Sequence, residues 1–330
     1  MLDWIPVLIL TFTSLLIYFI ILLVSSFYYY DYLRGRFKAL KLYALLIVPP
    51  IGMILLIISP FLLAVYTVLS NYLSYFICEI ILLLPLLLFI LKTLLKYTCR
   101  SIKKCKINSI EYITCETDSI NAWYMGGKLY ISNKLHKVLT KDEIKAIVLH
   151  EKGHRERKWI GRVNNVVSVS WYLVTITVTL FLPILLRLGA NVEATVSIMG
   201  FIIPLVPSIT VLAMSWSWVQ EHECDIIALK EASFRSIVSA LIKAHIYGSI
   251  GKYLDYISSI RLNQETLLKQ HAKIRYLNVL KHLLKYSWNA PLWYLELIKH
   301  PIYLTHPPLE YRLLKLIIEA KNQKHNNTVY

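Results

Sequence analysis

Five long apolar runs, parted by short polar connections, dominate the chain. They extend from Trp4 to Phe27, Leu42 to Leu69, Leu73 to Leu91, Val163 to Leu186 and Thr195 to Val219. About 20 helical residues cross a bilayer, so the pattern predicts a mainly α, multi-pass membrane protein with about five transmembrane helices. The first run lacks a basic leader and is too long for a secretory h-region, and it reads as an anchor. Glu79, inside the third run, reads as reaching the outer headgroups.

The remaining sequence predicts a polar domain. Lys128-Leu129-Tyr130-Ile131-Ser132 alternates and follows the turn signal Gly126-Gly127, which predicts a short strand. Thr140-Lys141-Asp142-Glu143 reads as a capping box opening a helix with Ile144, Ile147 and Val148 on its apolar side. After Ile226 the pattern is mostly helical, with polar breaks near Gly248 to Gly251 and Trp288 to Pro291. The residues from Asn322 to Tyr330 read as a frayed tail.

Charge adds an orientation. The chain has 330 residues, a formal net charge of +16, 56% hydrophobic and 17% charged residues, and a mean hydropathy of +0.52. That excludes an ordinary soluble protein. Arg34, Arg36, Lys38 and Lys41 follow the first span, and Lys92, Lys96, Arg100, Lys103, Lys104 and Lys106 follow the third. The opposite connections hold little more than Arg187. Basic loops stay cytoplasmic, so the N-terminus is expected outside a plasma membrane and the polar domain in the cytosol. The basic residues flank spans and form no nucleic-acid module, so the bilayer and not nucleic acid is the expected partner. Five cysteines without a CxxC pair predict reduced thiols, with neither a disulfide framework nor a cysteine metal site.

His150-Glu151-Lys152-Gly153-His154 brings in chemistry. Two imidazoles four residues apart on a helix can reach one zinc ion. Glu151 then lies where it can take a proton from a metal-acidified water and pass it to a leaving amine. Two spans separate His154 from Glu221, so the hairpin returns Glu221 to the same side of the bilayer. In Glu221-His222-Glu223-Cys224-Asp225 the first and last residues are one helical turn apart. Glu221 is expected as the third metal ligand and Asp225 as the group orienting a ligand imidazole; His222 and Glu223 are alternatives.

These residues resemble the HtpX-like membrane metallopeptidases, relatives of the CAAX prenyl proteases. The likeness lies in Asn121-Ala122-Trp123 before Gly126-Gly127, the Leu149 to His154 helix, Glu221 with Asp225, and Thr305-His306-Pro307-Pro308-Leu309-Glu310-Tyr311-Arg312. It covers about residues 108 to 317. The resemblance implies a cytosolic zincin-like domain with a short β-sheet, one zinc ion per chain, and cleavage of membrane or misfolded proteins in quality control. It implies that His306 stabilises the oxyanion and that Arg312 holds the site together. It further implies that an edge strand at Lys128 to Ser132 binds extended substrate, with Asn121, Ala122, Gly127 and Tyr130 as substrate-binding residues. The expected divisions are a membrane region at 1–97, catalytic parts at 98–162 and 220–330, and a transmembrane hairpin at 163–219. Two features depart from that family. Three spans precede the catalytic region instead of two, and the segment around Glu221 also resembles the BlaR and MecR sensor peptidases, which cleave a cytosolic regulator. A non-catalytic membrane scaffold is the remaining alternative.

Overall fold

The computed structural model describes residues 4–47, 100–107, 109–117, 121–125, 127–163, 192–250, 274–297 and 306–327. In chain order the elements are α1 (Trp4–Leu33), β1 (Arg100–Ile107), β2 (Ile110–Glu116), β3 (Ala122–Met125), β4 (Lys128–Ser132), α2 (Asn133–Val138), α3 (Lys141–Glu156), α4 (Val192–Glu231), α5 (Phe234–Ile250), α6 (Tyr276–Leu297) and α7 (Leu309–Asn327). The protein is mostly helical, with one small mixed sheet among the described residues.

One helix segment among those residues, Thr11–Leu33, is long and apolar enough to cross a membrane. It shows two faces. Leu8, Phe12, Leu16, Phe19, Leu23 and Phe27 are exposed, whereas Tyr18, Leu22, Tyr29 and Leu33 are buried against the rest of the chain. The expected spans Leu42–Leu69, Leu73–Leu91 and Val163–Leu186, and Glu79 with them, fall almost wholly outside the described residues. Thr195–Val219 lies within α4. The first helix also runs six residues beyond the expected Phe27. Its added turns are held by Tyr29, whose hydroxyl is 2.7 Å from His222 Nε2, and by Tyr32, whose hydroxyl donates to Glu223 at 2.9 Å.

The sheet has the order β1-β2-β4-β3. β1 and β2 are antiparallel, β2 and β4 parallel, and β3 and β4 antiparallel. The expected strand at Lys128 to Ser132 forms with those bounds, but it is interior and not an edge. The chain reverses at Gly127, whose φ of 82° suits glycine, so β3 lies along β4 and becomes the edge in its place.

α3 is packed on two sides. Ile144, Ile147 and Val148 meet Leu129 and Ile131 of the sheet, with Leu135 and Leu139 beside them. Ala146 and Leu149 meet Ala228, Val238, Leu241 and Leu313 from α4, α5 and α7. Burial on both faces fixes the rotation of the helix and therefore the direction of its polar residues.

Three expectations are corrected. α6 runs through Trp288 to Pro291 without a break, because Ser287 meets the Tyr18 hydroxyl at 2.9 Å and Trp288 packs edge-on against Tyr18 at 5.6 Å. Tertiary packing overrides the local polar signal there. α7 continues to Asn327 where a frayed tail was expected from Asn322. Cys115 is disulfide-bonded, whereas Cys105 and Cys224 are free thiols.

Candidate metal centre

The helix carrying His150 and His154 is anchored at its start. Thr140 Oγ1 accepts from Glu143 N at 3.4 Å and Glu143 Oε2 accepts from Thr140 N at 2.8 Å, closing the expected capping box. Ten residues after Glu143, α3 crosses α4 closely. A Cβ at Gly153 would stand 3.0 Å from Cys224 Cα, so the absent side chain is what lets the two helices approach. α3 ends at Glu156 with Arg157 as its cap, and a short helix resumes over residues 158–163.

That approach delivers Glu221. Its Oε1 is 3.1 Å from His154 Nε2 and its Oε2 is 3.4 Å from His150 Nε2. One ligand atom from each of His150, His154 and Glu221 lies within 4.8 Å of the other two. Asp225, one turn further along α4, takes the other nitrogen of His150, with Nδ1 to Oδ1 at 2.8 Å. That bond turns the Nε2 of His150 toward Glu221. Arg312 Nε and a terminal guanidinium nitrogen donate to the two Asp225 oxygens at 2.8 and 2.6 Å. The same guanidinium reaches Glu221 Oε2 at 3.6 Å. His306 Nδ1 is 2.9 Å from Glu221 Oε2 but outside hydrogen-bond geometry.

The alternatives at positions 222 and 223 face elsewhere. His222 meets Tyr29 of α1, and Glu223 pairs with Arg157 at 2.8 Å. The helical phase that brings 221 and 225 to α3 turns 222 toward α1.

The electrostatics follow from burial and pairing. Burial alone would raise the Asp225 carboxyl, but Arg312 and His150 outweigh it and hold it down at about 2. Burial would likewise raise Glu221, and the imidazoles of His306 and His154 hold it well below the usual carboxylate range. His150 is pushed up to about 10: burial works against its charge, and Asp225 and Glu221 overcome it. A cation must displace that proton, so the apparent affinity of the group for metal falls as pH falls.

The residues present fit a zinc ion. Two imidazoles and a carboxylate are the donor types zinc takes with a position left open. Glu221 Oε2 is buried without a hydrogen bond, a costly state for a carboxylate oxygen that a coordinated cation relieves.

Beside these donors lies a cleft of about 690 Å³. Asn121, Ala122 and Gly127 line it, together with Glu151, His154 and His306. Tyr130 is not among the lining residues, and its ring stacks on Trp123 at 5.7 Å. Asn121 O accepts from Ser132 N at 2.9 Å, so the antiparallel alternation directs the backbone groups of Ala122 and Tyr124 away from β4, toward the open edge. Trp123, Tyr124, Lys158, Arg162 and Gln220 also line the cleft; none was singled out from sequence for this wall. Gly153 carried a signal for the approach of α4, since a glycine inside a helix costs about 1 kcal/mol and marks a close approach.

A helix bearing two imidazoles and an intervening glutamate, with a carboxylate arriving from a second helix, defines the class of a helix-borne metallohydrolase site. The sequence model of peptidase family M48 matches residues 96–319. The chain belongs to that family of metallopeptidases, and the resemblance to HtpX-like enzymes is consistent with it. Comparisons with curated proteins and with solved structures gave no match.

Proposed function

We propose that the chain is a membrane-anchored zinc endopeptidase that cleaves membrane-bound or unfolded proteins at the cytosolic membrane face, in quality control. The observation that carries this reading is the convergence of His150 Nε2, His154 Nε2 and Glu221 beside an open cleft lined by Glu151.

Zinc held by those three residues supplies Lewis acidity toward a water molecule and the scissile carbonyl. Glu151, nearly buried but facing the cleft, accepts a proton from the attacking water and returns it to the leaving amine. His306, whose side chain is 35% exposed, donates to the carbonyl oxygen as negative charge develops there. Asp225 holds one tautomer of His150, and Arg312 holds Asp225. The open edge of β3 pairs with an extended substrate backbone through Ala122 and Tyr124, with Asn121 and Gly127 beside it. That mode of binding selects segments without secondary structure of their own, which is what an unfolded protein offers. α1 supplies the lipid-facing surface that keeps the cleft at the bilayer.

The test uses full-length protein in a neutral detergent, assayed for bound zinc and for chelator-sensitive cleavage of an unfolded protein. Glu151→Gln is expected to retain one zinc per chain and to lose about 10²–10⁴-fold in rate. Cleavage at the wild-type rate by that variant would end the mechanism. Thiol labelling at Cys105 in intact cells checks the topology, which fails if the label enters from outside.

A further inference from the structure

One wall of the cleft has no task in the mechanism above. In the helix over residues 158–163, Lys158, Gly161 and Arg162 stand at i, i+3 and i+4 and all line the cleft. The rotation of this helix is fixed. Ile160 is buried in the core, its carbonyl accepts from Trp216 Nε1 at 3.2 Å, and Trp159 faces a different hollow beside Leu40.

Among the described residues Lys158 and Arg162 have neither an ion pair nor a hydrogen bond. Their neighbours differ: Lys152 pairs with Glu231 at 2.9 Å and Arg157 with Glu223 at 2.8 Å. Glu151 is the one acidic group among the described residues lining the cleft, and the reaction uses it. Gly161 lets the side-chain amide of Gln220 lie between the two cations: a Cβ there would come within 3.3 Å of Gln220 Nε2, and the same nitrogen is 3.5 Å from His154 Nδ1.

We infer that Lys158, Gly161 and Arg162, over Gln220, form a subsite for an acidic side chain of the substrate. The inference rests on the peptidase reading of the same cleft. A carboxylate in the cleft beside them meets two unpartnered cations and the Gln220 amide, which glycine at 161 allows to lie between them. Lipid headgroups are the poorer match, because Lys158 and Arg162 face the cleft that holds Glu151. The exposed apolar Trp159, suited to a bilayer interface, points from another side of the same helix.

The test is binding to full-length, zinc-loaded Glu151→Gln protein in a neutral detergent. The probes are fluorescein-labelled decapeptides of one Ala-Leu frame carrying Glu-Glu, Gln-Gln or Lys-Lys, moved along the frame one position at a time. At one register Glu-Glu is expected to bind about fivefold to tenfold tighter than Gln-Gln, the scale of two partly solvated ion pairs. The advantage shrinks at about 0.5 M salt. Lys158→Glu with Arg162→Glu inverts the order of the acidic and basic peptides, and Gly161→Ala reduces the acidic advantage with both cations kept. Equal Kd values at every register, or an acidic preference that survives the double reversal, overturns the inference. So does a double reversal that alters capture by phosphatidylglycerol vesicles while leaving the peptide series unmoved. Cleavage of the Gln-Gln peptide by the wild type is read separately. No cleavage alongside the expected binding order defeats the peptidase reading and leaves the subsite standing.

Discussion

The two ends of α3 are fastened by the same kind of device at different depths. At its start, Glu143 closes the capping box and accepts from Lys243 Nζ at 2.8 Å, tying the helix to α5. At its end, His150 is held by Asp225, which takes Arg312 of α7 through two bonds. The Lys243 side chain is 31% exposed and that of Arg312 12%. A lysine is a flexible point charge that keeps part of its hydration, whereas a guanidinium locks a carboxylate in two directions and loses less in doing so. The shallow pair positions a helix. The deep pair positions a single imidazole, and the precision a metal ligand needs accounts for the greater burial.

The largest expected effect breaks the deep end. Arg312→Leu strips the buried Asp225 of its guanidinium and leaves His150 as its remaining partner, which should cost about 3 kcal/mol of stability, the lower end for a broken buried pair. Zinc affinity should fall about 10–100-fold as His150 loses its orientation. Thermal unfolding in detergent and metal analysis read the two effects. If Arg312→Leu proves no more costly than removing Lys243, burial does not distinguish the two ends.

How much of this was legible depends on how local each signal was. The capping box, the bounds of β4 and the His150/His154 pair are written within a few consecutive residues, and they formed as expected. Glu221 and Asp225 were singled out through the expected return of a hairpin, a constraint on chain path whose first arm lies outside the described residues. The choice of 221 over 222 required the phase of α4, which is set by Gly153 against Cys224 and by Tyr29 against His222. Contacts spanning that many residues leave no local pattern. β3 escaped notice because four residues with two aromatics carry too little alternation to signal a strand, so the edge was assigned to β4. Lys158 and Arg162 carry no signal of their own in the sequence, because a basic residue beside the expected span from Val163 is explained by orientation alone.

A substitution near the end of α3 sharpens the comparison, since Gly153 lies about one turn beyond His150 and beside the site. Alanine has the better helix propensity, by about 1 kcal/mol. Here its methyl would meet Cys224 Cα at 3.0 Å, and backbone cannot swing aside. Gly153→Ala should therefore destabilise by about 1–3 kcal/mol and move His154 relative to Glu221, lowering turnover more than substrate binding. Unfolding midpoints with kcat and KM for one peptide decide it. A stabilised variant would mean that the helices separate freely and that the site tolerates their movement.

The smallest effect lies at the shallow end, and pH separates it from the deep one. Burial alone would raise the Glu143 carboxyl, but Lys243, Ser239 and the Thr140 N–H outweigh it and hold it below its ordinary value. A carboxyl depressed on folding contributes stability that is fully present above its unfolded value and is lost as pH falls through its folded value. Lys243→Met should cost up to about 1 kcal/mol near neutral pH, and the difference from wild type should close in acid as Glu143 takes up a proton. For Arg312→Leu the corresponding difference should persist to lower pH, because Asp225 is held down at about 2 and keeps its charge after Glu143 has lost its own. Unfolding midpoints of both variants and wild type from pH 7 downward measure the two closures. Coincident closure would show that Glu143 and Asp225 feel equal environments, against their difference in depth.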